Sequence, residues 1–265
     1  MELQFDHIVH FIEGHPKKAI KEWQKQGIQG AMGGSHEKWG TYNSLLYART
    51  SYIEFLAMEN KVNAETCDNP LISQLVSDLH NGEGIGQICF RTTNIEKLKK
   101  ELEEKGCSTL PIFPGSRKRQ DGSIIHWKML FIKGESTLPF PFFIEWGQSD
   151  EVRFKELKEM DMIDGKLEKH QIKSILFACR NAEQSASEWS RLFDFPIKSI
   201  GLDSVSSLKK ATVLSGNTEI IFCEPLNEEG MIYHTLQSRG ERPFSIQFGP
   251  QLFHGTFSLY GSFYQ

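Results

Sequence analysis

One pattern constrains this chain more than any other: a strand-like apolar run, followed within a few residues by a capped amphipathic helix, recurs along its length. Residues 5–11 (FDHIVHF) lead into PKKAIKEWQKQG, where Pro16 suits the first helical turn, Ala19, Ile20 and Trp23 form the apolar stripe and Gly27 is the stop. Residues 85–91 (IGQICFR) lead into NIEKLKKELEEKG, with Asn94 as N-cap, Ile95, Leu98 and Leu102 on one face and Gly106 as the stop. Residues 172–180 lead into NAEQSASEWSRLFDF, whose Asn181 and Gln184 sit at capping-box spacing and whose Ala182, Ala186, Trp189 and Phe193 face the core.

Further short strands are expected after each helix. In unit one these are 27–32, 41–48 and 51–58, with the ARTS between the last two as a hairpin turn. Unit two repeats them at 109–113, 126–133 and 140–146, and unit three at 196–200, 209–214 and 218–223. The last segment, GERPFSIQFG and LFHGTFSLYGSFYQ, reads as a truncated fourth copy with a short helix around 231–237. The fold class is therefore α+β, built of repeated βαβββ modules whose curved mixed sheets pair, because one helix covers only one face of a four-stranded sheet. The expected division is 1–150 for two paired modules and 168–265 for a degenerate second lobe. Paired concave faces enclose a pocket where equivalent positions of two copies converge.

Composition narrows the function. A length of 265 residues can bury a core without staples, and 24% charged with 39% hydrophobic residues is a globular composition. The net charge is -4 and no basic stripe appears, which argues against a nucleic-acid partner. No apolar stretch approaches the ~20 residues that span a bilayer, and MELQFDH lacks a signal-peptide layout, so no membrane partner and a cytoplasmic location are expected. Cys67, Cys89, Cys107, Cys179 and Cys223 are odd in number and form no C-x-x-C pair, so they read as reduced thiols. No G-x-G-x-x-G, P-loop, H-E-x-x-H or G-x-S-x-G run is present, so no nucleotide cofactor is expected.

The layout, the first-strand run Asp6-His7-Ile8-Val9 and the fourth-strand run Ile53-Glu54-Phe55-Leu56 resemble the vicinal oxygen chelate superfamily, which includes glyoxalases, extradiol dioxygenases and bleomycin-resistance proteins. The run from Gly33-Gly34-Ser35-His36 through Gly40-Thr41-Tyr42-Asn43, with Asp121-Gly122, Trp127 and Pro141 to Trp146, is similar to its glyoxalase-like domain subgroup. The resemblance covers residues 1 to about 147 well and the rest weakly.

What the resemblance implies is a divalent metal, Zn, Ni, Mn or Fe, held by the first and fourth strands of each paired unit. Overlaying the units gives the ligand set His7, Glu54, Gln87 and Glu145. Alternation puts Phe5, His7 and Val9 on one strand face and Ile85, Gln87 and Cys89 on the matching one. One imidazole, one amide and two carboxylates depart from the two-histidine triad of extradiol oxygen chemistry and keep a lyase or isomerase in play. In that reading the metal chelates two neighbouring oxygens of a small substrate, and Glu54 or Glu145 moves a proton at the adjacent carbon. The alternative is a metal-free, bleomycin-resistance-like module in which the same four residues form a polar network around a small-molecule or antibiotic ligand.

Other residues qualify the pocket. His36 and Lys38 in GGSHEKWG are either a glycine-hinged lid or an ordinary hairpin connection. Asn43 is placed to direct a polar group inward, and Trp127 to form pocket wall. Arg117, Lys118 and Arg119 form the tight basic cluster, with Arg119 taken as the arginine for a substrate carboxylate or phosphate. His10 falls on the face opposite His7 and is expected beneath the helix. In the later units Ser174, Ile221 and Ser245 occupy the ligand places, so that pair is expected to be structural. Four copies in one chain favour a monomer, with a homodimer as the alternative.

Overall fold

Asparagine caps set two of the three strand-to-helix junctions read above. Asn94 Oδ1 accepts from the Lys97 amide at 2.9 Å, and Asn181 Oδ1 from that of Gln184 at 3.0 Å. The computed structural model describes residues 2–118, 122, 124–134 and 138–265, with the backbone alone at Lys118.

The first unit runs β1 (Gln4–Phe11), α1 (Lys17–Lys25), β2 (Ala31–His36), β3 (Thr41–Ala48) and β4 (Ser51–Met58). Two helices follow, α2 (Lys61–Thr66) and α3 (Pro70–Leu79). The second unit is β5 (Gly84–Arg91), α4 (Ile95–Glu104), β6 (Phe113–Lys118), β7 (Ile124–Leu130) and β8 (Phe142–Trp146), and α5 (Asp150–Glu159) follows it. The third unit is β9 (Gln171–Ala178), α6 (Ala182–Phe193), β10 (Ile197–Asp203), β11 (Leu208–Ser215) and β12 (Thr218–Pro225). The chain ends with α7 (Gly230–Arg239), β13 (Arg242–Gly249), β14 (Phe257–Leu259) and β15 (Ser262–Tyr264).

The first two units form one eight-stranded mixed sheet, ordered β2-β3-β4-β1-β5-β8-β7-β6. β1 pairs with β4 and β5 with β8 in parallel, while β1 and β5 meet antiparallel at the centre. The ends curl towards each other until β2 packs against β6, so the sheet almost closes. The remaining strands form a seven-stranded sheet, ordered β10-β11-β12-β9-β13-β15-β14. The fold class expected from the repeat is the one observed. The helix expected around 231–237 is α7, which precedes β13.

The outer faces of the two sheets, with α1, α4 and α6, share one apolar core. Trp23 meets Tyr264 edge-on at 5.0 Å, and Phe90 meets Phe195 at 5.1 Å. His10 is fully buried at this junction: its Nδ1 bonds the Tyr264 hydroxyl and its Nε2 the Tyr260 carbonyl, so it packs under the second sheet and not under a helix. Among the described residues, no helix is long and apolar enough to cross a membrane.

Part of the inner cavity's wall comes from segments outside the repeat. α3 supplies Leu71 and Ile72 to its wall, and α5 supplies Arg153 and Leu157. Neither helix belongs to the βαβββ repeat, so a search for the repeat does not find them.

Candidate functional site

The cavity lies inside the curled eight-stranded sheet. Strict alternation along β1 would put Asp6 and His7 on opposite faces, but the register against β5 shifts between Phe5 and His7. Phe5 consequently packs outward against Phe90, at 6.3 Å between ring centres, while His7 lines the cavity. The expected grouping of Phe5 with His7 therefore fails, and so does that of Ile85 with Cys89, whose side chains join different apolar clusters.

The shift lets neighbouring side chains bond: His7 Nδ1 lies 2.7 Å from Asp6 Oδ1. A carboxylate only accepts, so Nδ1 carries the hydrogen and the ring is held with Nε2 turned towards Glu54. Asp6 is fully buried, and burial alone would raise its pKa. The charge of Arg153, the hydrogen bond from His7 and the charge of Arg91 outweigh that and hold it at about 2. Trp146 Nε1 donates to its other oxygen at 3.0 Å, and Arg153 Nη1 lies 3.5 Å from it. Asp6 is thus a fixed anion that orients His7.

His7 Nε2 stands 3.7 Å from Glu54 Oε2 on β4. Glu54 Oε1 accepts a short hydrogen bond from Asn43 Nδ2 on the adjacent β3. Asn43 is 2% exposed, and its Oδ1 has no partner among the described residues. That oxygen fits against β2 because the strand has a glycine there. A Cβ on Gly33 would come within 1.9 Å of Asn43 Oδ1 and 2.7 Å of Arg117 Nη1. Arg117 on β6 also hydrogen-bonds the Tyr47 hydroxyl. One wall therefore carries a continuous polar series: Arg117, Asn43, Glu54, His7 and Asp6.

The rest of the lining is aromatic and aliphatic. His7 stacks on Tyr52 at 4.4 Å and 14°, and Phe142 meets it edge-on at 5.4 Å. Trp127 stands 6.4 Å from Trp39 and 5.7 Å from Trp146, and Arg153 lies 4.2 Å over the Trp146 ring. Leu56, Leu71, Ile72 and Met129 close the apolar end. His36 lines the same cavity, where burial draws its pKa down to about 4 against the upward pull of Glu54, with Arg117 adding to the fall.

The structure brings together His7, Glu54, His36, Asn43 and Trp127 of the residues read from the sequence. The GGSHEKWG run forms the end of strand β2 and a one-turn helix (Glu37–Trp39) that leads into β3. Lys38 is exposed. Arg119 lies outside the described residues.

Gln87 and Glu145 are placed elsewhere. Gln87 Nε2 donates to the Phe140 carbonyl at 2.8 Å and to Gln74 Oε1 at 3.1 Å, its Oε1 accepts from the Ile88 amide, and the residue lines a neighbouring cleft. Glu145 accepts from the Ile95 amide at 2.6 Å, where it caps α4, and lies 3.3 Å from Lys128 Nζ. Register explains the misplacement. Glu54 pairs with Val9, and Phe142 pairs with Cys89, so superposing His7 on Gln87 sets Phe142, not Glu145, on Glu54. The cavity-facing residues of β8 are Phe142, Ile144 and Trp146, which leaves Glu145 on the outer face.

The expected four-ligand metal set therefore does not converge. Among the described residues the group with ligand atoms within 4.8 Å of one another is Asp6, His7 and Cys89. Asp6 there is already engaged by Arg153, His7 and Trp146, and burial first, then the charges of Asp6 and Glu54, hold Cys89 as a thiol well above its ordinary pKa. His7 Nε2 and Glu54 remain as two adjacent donors beside the cationic Arg117 and Arg153, a poor fit to a resident divalent metal.

Residues 5–193 match the family model described as a glyoxalase-like domain. The chain belongs to this family. Glyoxalase-like domains lie within the vicinal oxygen chelate superfamily, as the sequence resemblance implied. A hypothetical protein from Staphylococcus aureus has the same fold at 22% identity, covering 99% of this chain and 98% of that chain with a TM-score of 0.78. A mutant of 4-hydroxymandelate synthase from Streptomyces coelicolor shares it at 11% identity, covering 92% of this chain and 70% of that chain with a TM-score of 0.58. At these identities the likeness concerns the fold alone. No curated protein matches the chain. Asp6, Arg117 and Arg153 were not assigned cavity roles from the sequence. The signal for Asp6 lay in the Asp-His pair itself, once alternation is allowed to break.

Proposed function

We propose that this glyoxalase-like protein binds a small, largely apolar molecule and moves a proton at a carbon beside a carbonyl, as an isomerase or lyase step requires. The observation that carries the reading is the facing pair: His7 Nε2 and Glu54 Oε2, 3.7 Å apart in the cavity, with the His7 tautomer set by Asp6. One of the two takes the proton from carbon, and that same proton is delivered to the carbonyl oxygen or the neighbouring carbon, either by the group that took it or after passing to its neighbour across the pair. The buried, aromatic walls exclude water and hold the substrate against the pair. His7 and Glu54 carry this step without a divalent metal.

The test is hydrogen exchange across a panel of carbonyl compounds. The protein is incubated in D2O with 2-hydroxy ketones, 2-oxo acids and 1,3-diketones, and loss of the C–H signal is followed by NMR. Exchange with at least one class, lost in His7→Ala, supports the reading. The second reading is the metal-free binding module, favoured by the Trp39, Trp127 and Trp146 wall, and it is supported by saturable binding with no exchange in any class.

A further inference from the structure

The polar wall has an order that specifies a ligand. Gly33 is the position from which it is read: Asn43 Oδ1 takes up the room its missing Cβ leaves, with Arg117 Nη1 beside it. Asn43 cannot turn its amide round to satisfy that oxygen, because its nitrogen is held by Glu54 Oε1. A buried acceptor with no donor is costly unless a ligand supplies one. Beside it stands a guanidinium that no ion pair joins to a carboxylate among the described residues, and its Nε is buried without a partner. An acceptor and a cation side by side on the cavity wall call for a ligand carrying a hydrogen-bond donor next to an anion. Beyond them come Trp127 and Trp39, flat surfaces for a flat body.

We propose that the cavity takes a hydroxycarboxylic acid with an aromatic or flat apolar body, its carboxylate on Arg117, its hydroxyl hydrogen on Asn43 Oδ1 and its body against Trp127. The proposal rests on the same cavity being the working site, and it names the ligand class of that site. Glu54 and His7 follow Asn43 along the wall, so the carbon bearing the hydroxyl faces the pair.

The experiment compares three compounds by tryptophan fluorescence and calorimetry on the full chain. They are 3-phenyllactate, 3-phenylpropanoate, which lacks the hydroxyl, and 3-phenylpropane-1,2-diol, which lacks the carboxylate. Phenyllactate is expected to bind most tightly, with about a tenfold or larger loss on removing either group. Arg117→Gln is expected to abolish the preference for acid over diol. Circular dichroism verifies that the variant folds, and the comparison of compounds in the unmodified protein stands without it. Equal binding of acid and diol by the unmodified protein, or no binding of any of the three at millimolar concentration, overturns the proposal. Failure of the proton-transfer reading is distinguishable: binding in the expected order with no hydrogen exchange refutes that reading and leaves this one, while exchange without a carboxylate preference does the reverse.

Discussion

His7 and Glu54 approach within 3.7 Å across the β1–β4 pairing, and the far nitrogen of the same imidazole is tied to Asp6 at 2.7 Å. The orientation of His7 thus depends on a carboxylate that never touches the cavity's ligand. Asp6→Asn removes the anion and leaves Arg153 buried beside a neutral amide. It is expected to slow exchange by about a hundredfold and to destabilise the fold by about 3 kcal/mol. Exchange rates and urea unfolding check the two effects. An unchanged rate would mean that Asp6 does not orient the base.

Asp6 also makes a prediction about acid. Its folded pKa of about 2 lies below the unfolded value, so its contribution is present above roughly pH 4 and is lost as the pH falls towards 2. The depression corresponds to about 2 kcal/mol at neutral pH. Urea midpoints measured from pH 5 to pH 2 should fall through this window, and Asp6→Asn should flatten the fall.

His36 and His10 act in a higher window and with the opposite chemistry. Burial draws His36 down to about 4 and His10 to about 3, so the unfolded chain binds protons at these positions before the folded chain does. Stability therefore declines as the pH drops below about 6.5, by up to about 1.4 kcal/mol per pH unit for each histidine. His36→Gln should reduce that slope between pH 6 and pH 4 by one histidine's share, as read by urea unfolding; an unaltered slope would contradict the buried neutral state.

Gly33→Ala tests the placement of Asn43. The added Cβ meets Asn43 Oδ1 at 1.9 Å and must displace the amide that holds Glu54. The expected results are a stability cost of about 1–3 kcal/mol and loss of ligand binding by about tenfold or more. Calorimetric titration with 3-phenyllactate checks the second.

Glu54 and Glu145 should part company. Glu145→Gln removes charge from the cap of α4, costs about 1 kcal/mol and leaves exchange unchanged, whereas Glu54→Gln abolishes exchange with little effect on thermal unfolding. Equal loss of activity in both would restore the symmetric pair that the overlay of the two units suggested.

Much of the fold was legible because it repeats. The caps Asn94 and Asn181 and the runs over β3 and β4 needed only local rules. His7, Glu54, Asn43 and Trp127 were legible as cavity residues because each lies on an expected strand of the repeat, and His36 because of its place in the glycine-rich run between two of them. Glu145 was not, because period-two alternation cannot reveal an offset between β4 and β8, and a shift of three residues turns a side chain to the outer face. Asp6 was hidden by the bulge that brings it beside His7, and Arg153 by its place on α5, which has no counterpart in the repeat.

The most direct test is the exchange rate of the best-exchanging compound in D2O, with excess chelator, for the unmodified protein, His7→Ala and Glu54→Gln. The account predicts exchange that is indifferent to chelator and falls by about a hundredfold or more in each variant. Exchange that vanishes with chelator and returns with Zn, Ni, Mn or Fe, or that persists in Glu54→Gln, would contradict it.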